Sequence, residues 1–254
     1  MLLATWNVNS LKVRLPHLLT WLQSARPDIV ALQETKLVDE AFPTAELEEA
    51  GYHCAFAGQK TYNGVAVLSR EAITDVVTDL PGYADPQRRV LGCTVGDVRV
   101  LNLYVPNGQT VDSEKYHYKL DWLKALEEFC RDELKAHPLM AAVGDFNIAP
   151  ADRDVHDPDA WRGSVLVSPA EREAFDRLTA LGFVDTFRLF NSDGGFYSWW
   201  DYRMGGFRRN HGLRIDHVLA SKQLAERCLG ATIDVEPRTW NRPSDHVPVV
   251  ARFS

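Results

Sequence analysis

Short apolar runs recur along the whole chain, and several of them are apolar at consecutive positions instead of alternate ones. A strand that is apolar on both faces is typical of a sheet buried between other layers of a protein. The pattern predicts seven strands, which are expected at residues 2–6, 28–33, 64–69, 98–105, 139–143, 213–220 and 247–253.

Two segments between these strands carry helical signals. Residues 113–136 place charged residues on one face and large apolar side chains on the other, so this helix should cover a sheet. The apolar stripe consists of Trp122, Leu126, Phe129 and Leu134. A second helix is expected after Ser168, because Ser168 and Glu171 form a capping box around Pro169. Gly182 should close it.

Strands and helices are interspersed, and no repeat, low-complexity tract or linker divides the chain. Residues 1–254 are therefore expected to form a single domain. We expect an α/β layered architecture, with sheets packed face to face and helices outside, instead of a simple doubly wound sheet. Long loops are expected at 151–163 and 191–212, and loops of that length are commonly functional.

The composition is that of a folded globular protein, with 45% hydrophobic and 25% charged residues in a chain of 254. No apolar run approaches the ~20 residues that a membrane-spanning helix needs, and the first residues do not resemble a secretion signal. We therefore expect a cytoplasmic protein that does not act at membranes. The net charge of -7 argues against non-specific coating of nucleic acid, so any basic surface must be local.

Polar side chains stand where six of the segments meet the edge of the core. They are Asn7, Glu34, Tyr104 with Asn107, Asp145 with Asn147, Asp216, and Asp245 with His246. Taken singly, such residues are usually turn formers, solvated loop residues or structural histidines. Asp216 stands out, because an ionised carboxylate in an apolar strand costs several kcal/mol unless it is paired or metal-bound. A structural salt bridge is the alternative explanation for it.

Together these residues supply carboxylates, carboxamides and an imidazole, but no thiolate. Hard cations such as Mg²⁺ and Mn²⁺ prefer oxygen ligands, and Mg²⁺ needs few of them when water and substrate phosphate complete its shell. Glu34, Asn7 and Asp245 would suffice for it. A histidine and a carboxylate remain to deprotonate a water, and Tyr104 can hydrogen-bond phosphoryl oxygens. The set indicates phosphate chemistry.

Eight motifs occur in order along the chain: TWNVNSL, ALQETK, YNGVAVLSR, NLYVPNG, GDFNIAP, YSWWDYR, GLRIDHVLAS and PSDHVPV. The series closely resembles the exonuclease III family of DNA-repair nucleases along the whole chain. The resemblance implies a four-layered α/β sandwich of two packed mixed sheets flanked by helices, as in the endonuclease/exonuclease/phosphatase group and DNase I. It also implies a monomer that uses Mg²⁺, with Mn²⁺ as a substitute. The implied partner is double-stranded DNA with abasic sites or 3′-blocked ends.

The resemblance further implies roles for single residues. Those expected around the metal are Asn7, Glu34, Asp145, Asn147 and Asp245, with Glu34 as the ligand itself. Those expected in catalysis are Tyr104, Asp145, Asn147, Asp216 and His246. Asp145 and Asn147 would position or activate the attacking water, and Asp216 would pair with His246. Asn107, with Tyr104, would contact the region of the scissile phosphate.

A further group of residues is expected to meet DNA. The loop YSWWDYR and Leu213 would form a pocket and wedge for a distorted nucleotide, with Trp199 and Trp200 as the aromatic residues. Core packing is the alternative for both tryptophans. Nearby arginines would supply the local positive charge, unless they belong to a solvated basic loop. They are Arg203, Arg208, Arg209 and Arg214.

Two other functions fit parts of this pattern. A phosphohydrolase of the same fold acting on a small phosphoester, such as an inositol phosphate, could have the same metal residues, but it would not need the aromatic loop or the arginines. An inactive DNA-binding or scaffold protein would not need every polar position of the mechanism. Among nucleases, the sequence does not choose between cutting 5′ to an abasic site, removing 3′-blocking groups and degrading duplexes from the 3′ end.

Overall fold

A computed structural model describes residues 1–254. Twelve strands form two six-stranded sheets. The first sheet contains β1 (Leu2–Asn7), β2 (Ile29–Gln33), β3 (His53–Ala57), β4 (Val65–Ser69), β11 (Cys228–Ile233) and β12 (Val249–Phe253). The second contains β5 (Ile73–Val77), β6 (Val90–Val95), β7 (Val98–Tyr104), β8 (Met140–Asp145), β9 (Phe183–Asp185) and β10 (Asp216–Ser221). Their orders are β11-β12-β1-β2-β4-β3 and β5-β6-β7-β8-β10-β9.

Seven helices lie between the strands. They are α1 (Leu11–Ala25), α2 (Thr44–Glu49), α3 (Glu114–Ala136), α4 (Pro158–Trp161), α5 (Pro169–Ala180), α6 (Gly206–Arg209) and α7 (Lys222–Ala225). The side chain of Ser113 caps α3, and Ser168 with Glu171 forms the predicted capping box of α5. None of the helices combines the length and the apolar composition needed to cross a lipid bilayer.

Three apolar layers hold the sheets and helices together. The layer between the two sheets contains 22 buried residues, among them Leu3 and Val143. A layer of 19 residues, including Trp122 and Phe175, joins the second sheet to α3 and α5. A third layer of 14 residues, including Trp21, joins the first sheet to α1 and α2. The predicted four-layered sandwich is therefore confirmed.

Each sheet has one parallel strand pair at its centre, β1 with β2 and β7 with β8. Because parallel strands end at the same edge, Asn7 lies beside Gln33 and Tyr104 lies beside Asp145. Strands β10 and β12 run antiparallel to β8 and β1, so they begin at this edge, and Asp216 is paired with Asp145. The packing of the sheets therefore brings the polar strand ends together.

All seven predicted strands are present, with ends shifted by a few residues. The largest shift is at the start of β10, where residues 213–215 form bridges to neighbouring loops before the strand begins at Asp216. Both predicted helices are also present, at α3 and α5. Five strands had no prediction: β3, β5, β6, β9 and β11.

Candidate active site

The centre of the site is a pair of carboxylates bridged by one amide. Asn7, the last residue of β1, donates from Nδ2 to Oε1 of Glu34 and to Oδ2 of Asp145, both at 2.9 Å. One candidate ligand atom from each of Glu34, Asp145 and His246 falls in a cluster in which all atoms lie within 4.8 Å of one another. The structure therefore groups three of the predicted residues, with Asn7 holding two of them in place.

Glu34 sits in an unusual backbone conformation beside a cation. Its φ of 53° lies in the left-handed region, so the extended backbone of β2 ends directly before it, at Gln33. The ammonium of Lys36 is 2.9 Å from its Oε2. Burial alone would raise the pKa of Glu34, but Lys36 and the hydrogen bond from Asn7 outweigh it and lower the pKa. Glu34 is therefore an ionised carboxylate.

Asp145 and Asn147 are held by a tight turn after β8. The backbone N–H of Asn147 donates to Oδ1 of Asp145 at 2.9 Å, and the side chain of Asn147 donates to the carbonyl of Val105. Just before the turn, Gly144 lets β8 approach β7 closely, because a Cβ at that position would lie 1.9 Å from the carbonyl oxygen of Leu103. Asn107 donates from Nδ2 to Oδ1 of Asn147 at 3.1 Å. The polar residues after this strand thus form one hydrogen-bonded unit.

Asp216 and His246 form the predicted couple. Nδ1 of His246 is 2.8 Å from Oδ2 of Asp216, and its Nε2 is 3.7 Å from Oδ2 of Asp145. Burial works against a charged imidazole, but the carboxylates of Asp216 and Asp145 outweigh it and raise the pKa of His246 to about 10. Burial also raises the pKa of Asp145, to about 7. The contact of Nδ1 with Asp216 thereby orients the imidazole so that its Nε2 faces Asp145.

Asp245 and Tyr104 border this cluster from two sides. Both oxygens of Asp245 accept hydrogen bonds, at 2.9 Å from Nδ2 of Asn9 and at 3.0 Å from the indole nitrogen of Trp199. Burial raises the pKa of Tyr104 well above its ordinary value, and the neighbouring Glu34 raises it further. Tyr104 is therefore a protonated phenol that can donate a hydrogen bond. Asp245 lies next to the carboxylate cluster instead of within it.

The donor set fits a hard divalent cation. The carboxylate that follows β2 and the carboxylate that ends β8 converge with an imidazole, and no thiolate is present in the cluster. Carboxylate oxygens are the ligands that Mg²⁺ prefers, and it commonly binds through only one or two of them. The acidic cluster can thus hold a metal, as the sequence predicted, with Glu34 and Asp145 as the residues placed to do so.

Three residues expected to meet DNA are buried, which corrects those predictions. Trp200 is 2% exposed, and its indole donates to Asn210 in an aromatic cluster, so it cannot stack on a nucleotide. Leu213 is fully buried in a small apolar cluster and cannot act as a wedge. Arg214 is 1% exposed, and both Asp154 and Asp185 lie 2.7 Å from its guanidinium. These three residues support the site from within the fold.

Other residues of that predicted group are on the surface. Arg203, Arg208, Arg209 and Asn107 are exposed. Trp199 is partly buried, and its N–H is committed to Asp245, so its contribution to the site is the position of that carboxylate. Arg203 forms a salt bridge with Asp201 at 3.3 Å, so the unpaired positive charge of this segment is that of Arg208 and Arg209.

Two lysines that organise the site were not predicted from the sequence. Lys119 is fully buried, and its ammonium donates to the carbonyls of Asn147, at 2.6 Å, and Asn107, at 3.1 Å. The sequence does contain a sign of this, because Lys119 stands three residues before Trp122 and is therefore a charged residue on the apolar face of α3. Lys36 lies within the motif ALQETK but carries no separate signal.

The comparisons with known proteins agree with this geometry. The model of the Endonuclease/Exonuclease/phosphatase family matches residues 4–246. The chain belongs to this family. Within the family, it is 36% identical over 263 residues to an exodeoxyribonuclease III of Haemophilus influenzae, with 98% of each chain covered.

Two solved structures of the family extend the comparison. The 3′-phosphatase NExo from Neisseria, bound to a product DNA hairpin, superposes with a TM-score of 0.99 at 48% identity, over 100% of this chain and 99% of that one. An AP endonuclease from Archaeoglobus fulgidus superposes with a TM-score of 0.97 at 38% identity, over 100% and 99%. The predicted exonuclease III family, fold class and enzyme class are confirmed.

Proposed function

We propose that this protein is a Mg²⁺-dependent DNA-repair nuclease of the exonuclease III type that processes 3′ ends of duplex DNA, releasing 3′-phosphates and 3′-terminal nucleotides. The observation that carries this proposal is the convergence of Glu34, Asp145 and His246, whose ligating atoms lie within 4.8 Å of one another. The similarity to NExo, described as a 3′-phosphatase with product DNA and as a 3′-5′ exonuclease, supports the choice of 3′ ends.

Incision of DNA 5′ to abasic sites is the second candidate activity. It is favoured by the similarity to the AP endonuclease from Archaeoglobus fulgidus, at 38% identity over the whole chain. The same catalytic residues would serve both activities, because both reactions are the hydrolysis of a phosphoester bond. A small phosphoester is a weaker candidate, since the relatives and structures compared above are named as DNA nucleases or as a 3′-phosphatase bound to DNA.

The residues of the site would divide the chemistry among them. Glu34 would hold the Mg²⁺ ion, which when bound would neutralise charge on the phosphate. Asp145 would accept the proton of the attacking water, which Asn147 would help to orient. His246, held by Asp216, would place positive charge against a phosphoryl oxygen. The phenol of Tyr104 would donate a hydrogen bond to the same group.

We also infer that the protein acts as a cytoplasmic monomer and that residues 1–254 work as one domain. The single-domain inference is supported by the pairing of β1 with β12, which join the two ends of the chain in one sheet. A further support is the hydrogen bond from the N-terminal amine to the carbonyl of Phe253 at 2.8 Å.

One experiment tests the function directly. The purified protein would be given duplexes with a 3′-phosphate, with a recessed 3′ end and with an abasic site, and separately an inositol phosphate. We expect turnover of the DNA substrates with Mg²⁺, loss of turnover in EDTA and recovery with Mg²⁺ or Mn²⁺. Faster release of the 3′-phosphate than incision at the abasic site would support 3′-end processing as the main activity. Turnover of the inositol phosphate alone would overturn the proposal.

A matched pair of variants tests the metal assignment. Glu34→Gln removes the ligand charge with little change in shape, and we expect it to lower kcat by about 100-fold or more while the protein remains folded. Glu49→Gln makes the same change at an exposed residue of α2 and should leave kcat unchanged. Full activity of Glu34→Gln at low Mg²⁺ would contradict the assignment.

A further inference from the structure

The turn between β1 and α1 has a strained backbone and lies beside the carboxylate cluster. Asn9 and Ser10 have φ values of 42° and 86°, so two consecutive residues other than glycine occupy positive φ. Such conformations persist only where the surrounding structure holds them. Ser10, at the N-cap of α1, forms no side-chain capping hydrogen bond. The contacts that hold this turn must therefore come from other residues.

The side chain of Asn9 connects this turn to Asp245. Its Oδ1 accepts from the ammonium of Lys36 at 2.6 Å, and its Nδ2 donates to Oδ1 of Asp245 at 2.9 Å. An ammonium can only donate and a carboxylate can only accept, so the orientation of the amide is determined. Because Lys36 also lies 2.9 Å from Oε2 of Glu34, a continuous chain of contacts runs from Glu34 to Asp245.

One guanidinium holds both backbone segments that carry the hydrogen bond between Asn9 and Asp245. Arg14, in the first turn of α1, donates from Nη1 to the carbonyl of Asn9. It also donates from Nε to the carbonyl of Arg242 at 3.2 Å, and from Nη2 to the carbonyl of Pro243 at 3.0 Å. These two residues stand shortly before Asp245. Arg14 therefore fastens the strained turn to the segment that leads into Asp245.

Arg14 stands where a cation is otherwise unfavourable. The N-terminal end of a helix carries partial positive charge and prefers acidic residues, yet the first turn of α1 contains none. Arg14 pairs with no carboxylate, and its polar partners are three carbonyls and the hydroxyl of Tyr202, which lies 3.3 Å from Nη2. A guanidinium has five donors in a fixed fork, so it can satisfy several carbonyls at once. What Arg14 contributes is thus the relative position of these loops.

Another contact holds the segment after Pro243 without Arg14. Ser244 donates to the carbonyl of Asn7 at 2.7 Å, which ties residues 244–246 to the end of β1. Loss of Arg14 should therefore leave this segment in place while it releases the backbone of Asn9. The effect of such a loss would then fall on the position of Asp245.

We propose that Arg14 is a positioning residue of the metal site, which sets the position of Asp245 relative to the carboxylate cluster and thereby the affinity for the divalent cation. This inference rests on the proposed function, because it concerns the same metal site. The carboxylate of Asp245 adds negative charge beside Glu34 and Asp145, and its distance from them determines how strongly it helps to hold a cation. Substitution of residues that orient metal-binding groups typically weakens metal affinity by about 10–100-fold.

The direction of the effect separates positioning from simple electrostatics. Arg14→Met removes a positive charge near the site, which by Coulomb interaction alone would strengthen the binding of a cation. Positioning predicts the opposite. We expect the Kd for Mn²⁺, measured without DNA from the EPR signal of the free ion, to rise about tenfold. The Mg²⁺ concentration for half-maximal turnover of a 3′-phosphate duplex should rise by the same factor, with kcat at saturating Mg²⁺ within about threefold of the wild type.

Two further variants complete this comparison. Arg14→Lys keeps the charge, but a single nitrogen cannot serve all the carbonyls, so the Kd for Mn²⁺ should rise by an intermediate factor of about three. This variant also tests the inference if Arg14→Met does not fold. Lys12→Met removes the same charge from an exposed position in the same turn of α1, and it should leave the Kd unchanged or slightly lower.

A double-variant cycle shows whether Arg14 acts through Asp245. Asp245→Asn alone should raise the Kd for Mn²⁺, and Arg14→Met should raise it no further in that background, because the carboxylate that Arg14 positions is already absent. A merely structural role of Arg14 would weaken binding by the same factor in both backgrounds. Fully multiplicative effects would therefore overturn the inference.

The remaining outcomes separate this inference from the proposed function. If the wild type turns over DNA in Mg²⁺, but Arg14→Met and Arg14→Lys bind Mn²⁺ as tightly as the wild type or more tightly, Arg14 does not position the metal site and the nuclease function stands. If the wild type does not turn over DNA in Mg²⁺, the proposed function fails, whereas the Mn²⁺ titrations still decide the role of Arg14.

Discussion

The ammonium nitrogen of Lys119 lies 2.5 Å from Oε1 of Glu171, and both side chains are completely buried. The same ammonium donates to the backbone carbonyls of Asn147 and Asn107. Burial lowers the pKa of Lys119, and Glu171 opposes that effect. The pair therefore joins α3 and α5 directly beneath two carboxamides of the active site, and a charge left alone there would have no water to solvate it.

We expect the substitution Lys119→Met to lower the free energy of unfolding by about 3–5 kcal/mol, because it leaves the carboxylate of Glu171 buried and unpaired. The double variant Lys119→Met with Glu171→Gln should be destabilised by clearly less than the sum of the single effects. Urea denaturation measures both. Lys124→Met, at an exposed residue of the same helix, is the control and should change stability by less than about 0.5 kcal/mol. Additive losses would show that the two charges do not interact.

The couple of Asp216 and His246 predicts a second non-additive result. Because Asp216 acts only through the imidazole it orients, at 2.8 Å, each single change to alanine should damage the same step. We expect kcat to fall by about 10²–10⁴-fold in each single variant and by little more in the double variant. Single-turnover kinetics on a 3′-phosphate duplex would measure this. Strictly multiplicative losses would mean that the two groups act independently.

Much of the site could be predicted because its residues break a local pattern. Asn7, Glu34 and Asp145 each interrupt or follow an apolar strand, and a polar group at the edge of a core needs a reason to be there. Their convergence was less visible, since it depends on two parallel strand pairs whose partners are far apart in sequence. The order of the strands in each sheet is a tertiary property that no local pattern contains.

The wrong predictions for Arg214 and Trp200 and the missed edge strands also have physical causes. Arg214 and Trp200 lie in a loop that is rich in charge and aromatic residues, which indicates a surface, but paired carboxylates and aromatic neighbours bury both side chains. Burial of a charge depends on partners that are distant in sequence, here Asp154. Edge strands β5 and β11 were missed because few of their residues are buried: none of β5 is, and in β11 only Ala231 is.

The surface arginines and Arg214 should respond differently to substitution. Arg208 and Arg209 are exposed and form no salt bridge, so replacing both by alanine should flatten the dependence of log Kd on log salt by about 1 to 2 units on duplex DNA. Unmodified and lesion-bearing duplexes should weaken about equally, because phosphate contacts carry no sequence information. Binding in Ca²⁺ across a salt series measures this, and an unchanged slope would place the DNA elsewhere.

Arg214→Ala is the contrasting variant. It removes the partner of the buried carboxylate of Asp154 and of the partly buried carboxylate of Asp185, so we expect a loss of about 3–5 kcal/mol in the free energy of unfolding. Where the variant is still folded, the salt dependence of DNA binding should match that of the wild type. A flattened slope with normal stability would restore Arg214 as a phosphate contact.

The ring of His217 predicts a pH dependence of stability. Its Nε2 lies 2.9 Å from the carbonyl of Ile148, which can only accept, so Nε2 carries the proton. Its Nδ1 lies 3.1 Å from a guanidinium nitrogen of Arg214, which can only donate. A second proton would have to enter between Nδ1 and that cation. Burial, and then Arg214, lower the pKa of His217 to about 4.

Histidine in an unfolded chain has a pKa near 6.5, so the folded pKa is depressed, and the neutral ring stabilises the fold fully only above pH ~6.5. Between pH ~6.5 and about 4, the unfolded chain binds a proton at this histidine that the folded protein does not, and the contribution of His217 to stability should fall by on the order of 3 kcal/mol. The measurement is urea denaturation at pH 7.5, 5.5 and 4.5 for the wild type and for His217→Gln, which cannot titrate. The stability advantage of the wild type over His217→Gln should shrink steadily as pH falls.

The control variant is His117→Gln, at an exposed position on α3, which should leave the pH profile of the wild type unchanged. Asp154 and Asp185, whose pKa values are lowered by their arginine partners against the effect of burial, lose their contribution only at lower pH and do so in all three proteins. Parallel profiles for the wild type and His217→Gln would mean that His217 does not hold its neutral form in the fold.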